Sequence, residues 1–174
     1  GVVETLGGAT GSLSMILAVS PPGGDFTEPV TQACLRTGGV FLMLDTSLAH
    51  RRHFPAINWF QSYSLYSKET AAYSRDKVSP EWEDLQRRCK EILQKEESLR
   101  EISEIIGLEG LQDADRLIMK VAEMIRSDFL SQNSYTEDAF SPPEKTCSII
   151  KGILDFYDSA SAKIKDGSIR GVNE

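Results

Sequence analysis

A glycine-rich run, a pair of histidines and a proline-glycine loop carry the residue types that could do chemistry in this 174-residue chain. Gly7-Gly8-Ala9-Thr10-Gly11-Ser12 has the small residues of a phosphate cradle. That cradle needs a lysine before its Ser or Thr to reach the terminal phosphates, and none is present, so the run reads as a hairpin turn. His50 and His53 are the only histidines and stand at metal-compatible spacing, but no cysteine or carboxylate lies at ligand spacing beside them. Zinc is therefore not expected. The adjacent acids Glu96 and Glu97 point apart on a helix and read as a solvated face. Neither a nucleophile–base pair nor a hydride-cofactor fingerprint can be assembled. Ser20-Pro21-Pro22-Gly23-Gly24-Asp25-Phe26-Thr27-Glu28-Pro29-Val30 is different in kind: two prolines, two glycines and an acid make a stiff loop whose backbone can approach another surface closely. A tight strand-to-helix connection is the alternative.

The elements that must hold these residues fall into two regions. Eight of thirteen glycines and four of seven prolines precede Ser79, and residues 1–78 carry six basic and six acidic side chains. Residues 79–174 carry thirteen and twenty, which is the whole of the net charge of −7. Neither region offers the basic surface that a phosphate backbone requires, so nucleic acid is not an expected partner. No run approaches 18 uncharged apolar residues, which argues against membrane insertion. Cys34, Cys89 and Cys147 are odd in number and lack a Cys-x-x-Cys pair, as reduced cytosolic thiols would be. The opening residues Val2-Val3-Glu4-Thr5-Leu6 resemble a strand entered midway rather than a secretory leader, so the chain reads as a fragment.

In the first region Ser12 to Val19 alternates and then becomes continuously apolar, as a strand buried on both faces would, followed by a helix capped by Thr27 and running to about Arg36. Val40 to Asp45 reads as a second buried strand. Strand, loop, helix and strand imply parallel pairing within an α/β sheet. After Ser79 the period becomes helical. Ser79 and Pro80 start a helix with Trp82, Leu85, Cys89, Ile92, Leu99, Ile102 and Ile106 on one stripe, ended by Gly107. Asp113 caps the next, whose apolar positions are Leu117, Ile118, Val121, Ile125 and Phe129. Ser141-Pro142-Pro143-Glu144 reads as a capping box opening a last helix through about Ile164. The expected fold is α+β: strands and helices of an α/β domain in residues 1–78, then an all-α bundle in residues 79–174.

The proline-glycine loop closely resembles the S-P-P-G-G-D-F-x-[DE]-P-V signature of the catalytic A subunit (alpha chain) of V-type and archaeal-type rotary ATPases and ATP synthases. His50-Arg51-Arg52-His53-Phe54-Pro55-Ala56-Ile57-Asn58-Trp59 is similar to that family's R-x-H-F-P-[SA]-[IV]-N-W segment. Asp128-Phe129-Leu130-Ser131-Gln132-Asn133 resembles its D-[YF]-L-x-Q-N segment, and Asp155-Phe156-Tyr157 resembles part of its final helix. The related B subunit carries S-x-S-R, whereas here Ser62-Tyr63-Ser64 is followed by Leu65, which resembles the catalytic subunit instead.

The resemblance implies the last strands and helices of a RecA-like P-loop NTPase domain followed by the helical C-terminal domain. It implies a part in an ion-translocating ATPase that couples ATP hydrolysis or synthesis to proton or sodium transport. The cofactors implied are ATP or ADP with Mg, but the P-loop lysine, the Mg-side acid and the catalytic glutamate all lie upstream of Gly1. No catalytic residue is therefore expected here, and the fragment alone is expected to be inactive. By motif position Phe54, Tyr135 and Phe140 form an adenine-binding wall, and Gly23, Gly24, Asp25 and Phe26 face the central shaft. The implied partners are B subunits, three of them alternating with three catalytic ones in a ring, and the central stalk. The implied place is the cytoplasmic, peripheral sector. The competing reading is a non-catalytic helical protein-interaction module.

Overall fold

The computed structural model describes residues 2–168; Gly1 and residues 169–174, the outer ends of the two expected domains, lie outside the described residues. The chain folds as two compact units that meet in sequence between Phe41 and Leu42.

The first unit begins with a hairpin. Strand β1 (Val2–Glu4) pairs antiparallel with β2 (Thr10–Ser12), Val3 opposite Gly11. The turn between them closes through the Gly8 N–H donating to the Thr5 carbonyl at 2.9 Å, with Gly8 at φ 77°, where a side chain would be strained. Here the glycine run is a turn, as its missing lysine implied.

The buried strand expected over Ser12–Val19 does not form; Ser12 ends β2 instead. Residues 13–21 carry neither helix nor strand, and Met15 and Ile16 are 75% and 99% exposed. A strand that is apolar on both faces needs sheet neighbours and a covering layer, and the described residues place no ladder along residues 14–19. Helix α1 (Pro29–Thr37) follows, with Pro29 at its first position and Gly38 at its end. Glu28, not Thr27, caps it, its carboxylate accepting from the Thr31 N–H at 2.8 Å and the Thr31 hydroxyl at 2.9 Å. That pairing satisfies Thr31, a buried polar residue. Strand β3 is only Val40–Phe41. Without the first strand, the expected parallel strand–helix–strand unit is not formed within the described residues.

The second unit starts with the rest of the expected second strand, which serves other ends. Leu44 makes a single antiparallel bridge with Ile57, and Asp45 caps helix α2 (Thr46–His50) by accepting from the Ser47 N–H at 2.8 Å. Strand β4 (Tyr63–Ser64) and helix α3 (Ser67–Lys77) follow. Helix α3 buries none of its residues.

Three long helices then build the core. They are α4 (Trp82–Ile106), α5 (Asp113–Met124) and α6 (Pro143–Lys165). Leu85, Cys89, Ile92 and Leu93 from α4 meet Leu117, Ile118, Val121 and Ala122 from α5 and Cys147, Ile150, Ile153 and Leu154 from α6 in one cluster. Trp59 and Val78 pack against the same cluster. The apolar stripe continues from Leu85 to Leu99, but Ile102 and Ile106 are exposed. Gly107, at φ 77°, ends α4.

Three expected caps differ. Glu81 occupies the N-cap of α4, while Ser79 accepts the Glu81 N–H at 3.2 Å and so caps the preceding turn. Gln112 precedes α5, leaving Asp113 inside its first turn, where its charge suits the helix dipole. Pro142 precedes α6 with no side-chain cap, because Ser141 receives the Lys145 ammonium at 3.4 Å instead of a backbone N–H.

Leu154 is fully buried on α6, whereas Ile105 on α4 is 84% exposed. Leu154→Ala is expected to cost about 2–5 kcal/mol of unfolding free energy in urea titration, and Ile105→Ala less than about 0.5 kcal/mol.

Candidate functional site

Helix α5 does not stop at Met124. It passes directly into a π-helical segment, Ile125–Leu130, whose wider turn ends with the Ser131 N–H donating to the Arg126 carbonyl at 3.0 Å. Single π turns inside α-helices concentrate at functional positions. The next residue makes the decisive link: the Gln132 N–H donates to the Phe54 carbonyl at 2.7 Å. Two motif blocks separated by more than seventy residues are thereby joined through their backbones.

Asp138 organises the chain beyond Gln132. Its Oδ2 accepts from the Asn133 N–H at 3.2 Å and its Oδ1 from the Lys145 ammonium at 3.2 Å. These bonds, the Asn133 one foremost, hold its carboxyl below its ordinary range. The Asn133 side chain in turn accepts from the Tyr135 N–H at 3.0 Å. A short 3₁₀ turn, Glu137–Phe140, then leads into α6. A cleft of about 40 Å³ lies here, lined by Gln132, Asp138 and Lys145 among others.

Phe54, Tyr135 and Phe140 are placed by these constraints on the surface, at 52%, 96% and 90% exposure. No ring contact joins the three among the described residues. The Phe54 backbone is tied to the segment that carries the other two, and none of the three rings belongs to the core.

The proline-glycine loop lies in the first unit. Pro22–Gly24 form a 3₁₀ turn in which Gly23 and Gly24 sit at φ 63° and 73°. A Cβ at either glycine would meet nothing within 4 Å, so the backbone conformation, rather than crowding within this chain, demands glycine. Asp25 accepts from both the Thr27 hydroxyl at 2.6 Å and its N–H at 2.8 Å, and the hydroxyl bond foremost lowers its pKa. Phe26 turns inward, edge-on to Phe41 with ring centroids 6.2 Å apart. The Gln32 side-chain amide donates to the Phe26 carbonyl at 2.7 Å. Gly23, Gly24 and Asp25 are exposed and Phe26 is half-buried.

A charged cluster lies where the residue types read as a solvated face. Glu96, read from the sequence as solvated, is 4% exposed. Its Oε1 accepts from Nη2 and Nε of Arg100 at 2.5 and 3.1 Å, and its Oε2 lies 2.7 Å from Nη1 of Arg126 in the π segment. Burying a carboxylate is costly unless it is paired, and both oxygens here are matched by guanidiniums. One signal was available: position 96 falls between Ile92 and Leu99 at helical spacing, on the buried stripe. Arg126 also bears on His53, which packs edge-on against Trp59 at 5.7 Å. Burial lowers the His53 pKa first, followed by the positive charges of Arg126 and Arg51.

Short strands and helices followed by a bundle of three long helices place the chain in the α+β class. Residues 71–172 match the C-terminal domain of V and A type ATP synthase, and residues 2–64 match the nucleotide-binding domain of the ATP synthase alpha/beta family. The chain belongs to the V and A type ATP synthase family. It is 48% identical over 158 residues to the A subunit of the A-type ATP synthase of Methanopyrus kandleri, covering 90% of this chain and 27% of the relative. It is 46% identical over 170 residues to the same polypeptide of Staphylothermus marinus, covering 96% and 29%. The V-type ATP synthase alpha chain of Thermoanaerobacter pseudethanolicus is 48% identical over 158 residues, with 90% and 27% covered. The chain thus spans under a third of the length of these relatives. A solved ATP synthase component, NeqB from Nanoarcheaum equitans, superposes with a TM-score of 0.66 at 23% identity, over 79% of this chain and 34% of that one, and supports the fold. No described helix is long and apolar enough to cross a membrane.

Two outcomes test the charged cluster. Arg126→Met strands part of Glu96 and is expected to cost up to about 3–5 kcal/mol, and adding Glu96→Leu to it should recover most of that loss in denaturant titration. His53 has a depressed pKa, so the unfolded chain takes up its proton first. Its contribution to stability is present above its ordinary value of 6.5 and lost as pH falls below it. His53→Gln should flatten the fall in the urea midpoint between about pH 7 and pH 5.

Proposed function

We propose that this chain is the C-terminal part of the catalytic subunit of a V/A-type rotary ATPase, coupling ATP hydrolysis or synthesis to proton or sodium transport. In this reading residues up to 78 complete the nucleotide-binding domain and residues from 79 form the helical domain. The two family matches, residues 2–64 and 71–172, support a two-domain division, with residues 71–78 falling in the helical-domain match. The P-loop lysine, the Mg ligand and the catalytic glutamate are assigned to the part of the longer polypeptide that precedes this segment. Phosphoryl transfer is largely positioning and charge stabilisation by such groups.

This segment supplies the base-side wall. The observation that carries the assignment is the 2.7 Å bond from the Gln132 N–H to the Phe54 carbonyl, which ties the segment bearing Tyr135 and Phe140 to Phe54. Three exposed aromatics on connected loops are readily explained by stacking on a flat ring and poorly by core packing. The Gly23–Gly24–Asp25–Phe26 loop is assigned to the central shaft. Its exposed backbone at positive φ supports close approach by another surface. The helical bundle acts as the lever moved by nucleotide. Partners are B subunits in an alternating ring and the central stalk. Leu65 leaves the phosphate-facing arginine to be supplied in trans, and the complex sits as a peripheral sector on the cytoplasmic side.

In the full-length catalytic polypeptide, Phe54→Ala and Phe140→Ala are expected to raise the KM for ATP severalfold to about tenfold. The maximal rate should change less, because base stacking is alike in ground and transition states. Melting without nucleotide should stay near that of the parent, since both rings are exposed. A large apo destabilisation with unchanged KM would remove both from the wall. The 174-residue chain alone, given Mg-ATP, should release phosphate no faster than a protein-free blank.

A further inference from the structure

A second cleft, larger than the one beside the aromatic loop, lies elsewhere in the second unit. It has a volume of about 110 Å³ and is lined by Asp45, Asn58, Trp59, Arg51, Arg100 and Arg126, with other residues of the α2 region. That is several times the room a single water requires. Three arginines therefore line one cavity in a chain whose net charge is −7.

The acids nearby are committed elsewhere. Asp45 accepts from the Ser47 N–H and from the Asn58 amide at 3.0 Å; bonding from the Ser47 side chain foremost, then from Asn58 and the Ser47 N–H, brings its pKa to about 2, so it stays ionised. Glu96 divides its two oxygens between Arg100 and Arg126. Against three guanidiniums these two carboxylates leave an excess of positive charge. The lowered pKa of His53, caused after burial by Arg126 and then Arg51, reflects the same local field.

One buried donor on a residue that lines the cavity, the Trp59 indole Nε1, has no acceptor. The Arg126 Nη1 is ion-paired with Glu96 at 2.7 Å, out of line for a hydrogen bond. Buried donors are paired in the great majority of cases. An excess of cations, an indole N–H without an acceptor and sufficient room together describe a receptor for a compact anion with several acceptor oxygens. Guanidiniums match tetrahedral oxyanions in geometry as well as charge.

We infer that the cleft between Asp45, Trp59 and Arg126 is a binding site for a free inorganic oxyanion of the phosphate class, held by Arg51, Arg126 and the Trp59 indole N–H. The site is separate from the proposed base-side wall and stands whether or not that assignment holds. Bound there, the anion would bridge the Trp59 segment and the π segment that begins beyond α5.

Calorimetric titration of the intact chain with inorganic phosphate, sulfate and ADP, at ionic strength matched with chloride, tests it. Saturable binding of phosphate and sulfate is expected. Arg51→Gln, on an exposed residue, and Trp59→Phe, which keeps the packing ring, should each weaken phosphate binding roughly 10- to 100-fold, the loss expected for a charge-assisted bond. Circular dichroism in chloride should show both variants folded; if Trp59→Phe does not fold, Arg51→Gln decides the matter alone. Absence of saturation up to about 50 mM phosphate, against the millimolar weakness that one pocket of such bonds should exceed, would overturn the inference. Binding that survives Arg51→Gln would do the same, as would ADP binding in the cleft while inorganic phosphate stays silent.

Discussion

Glu96 sets the terms for much of the second unit. A carboxylate inside a helical core is tolerated only with its charge matched, and that requirement fixes Arg100 one turn along α4 and Arg126 across from it. Arg126 lies at the second position of the π segment, so the charge pairing anchors the place where α5 changes pitch. The wider turn then delivers Gln132 to the Phe54 carbonyl. From one buried charge the chain of contacts runs through the helix transition to the loop that carries the exposed aromatics. A purely apolar residue at position 96 would pack equally well against the stripe but would leave Arg126 no reason to hold that position.

The helical half of the fold was legible because its period is strong. Leu85, Cys89 and Ile92 recur at spacings that only a helix brings to one face, and Leu117, Ile118 and Val121 do the same on α5. The termini were less legible, since Glu28 and Glu81 took cap positions assigned to Thr27 and Ser79. Helix α3 escapes a reading by period because it buries nothing, so it leaves no apolar repeat to detect. Residues Leu13–Val19 failed in the opposite way. Their apolar run has the composition of a buried strand, but a strand exists only through its neighbours.

The candidate site divides along similar lines. Phe54, Tyr135 and Phe140 could be singled out from motif resemblance, and the structure adds what spacing cannot carry, the backbone bond between two distant blocks and the loop scaffold around Asp138. The arginine-lined cleft is invisible in the sequence, because Arg51, Arg100 and Arg126 lie far apart along it and each taken singly is an ordinary surface cation. Glu96 was misjudged by its type instead of its position. Charged residues on a helix are solvated more often than not, and only the stripe running from Cys89 through Ile92 to Leu99 marks this one as an exception.

The exposed run from Leu13 to Val19 has a practical consequence for handling the chain. Seven consecutive residues without charge or proline, rich in Leu, Ile, Met and Val and in no regular structure, form the kind of segment that self-associates through intermolecular β pairing. Gatekeeping charges that would interrupt such stacking are absent within it. At high concentration the chain is thus open to aggregation at this segment, while the well-packed bundle that follows stays intact. Solubility and stability are governed by different stretches of the same molecule, so a gain in one need not bring a gain in the other.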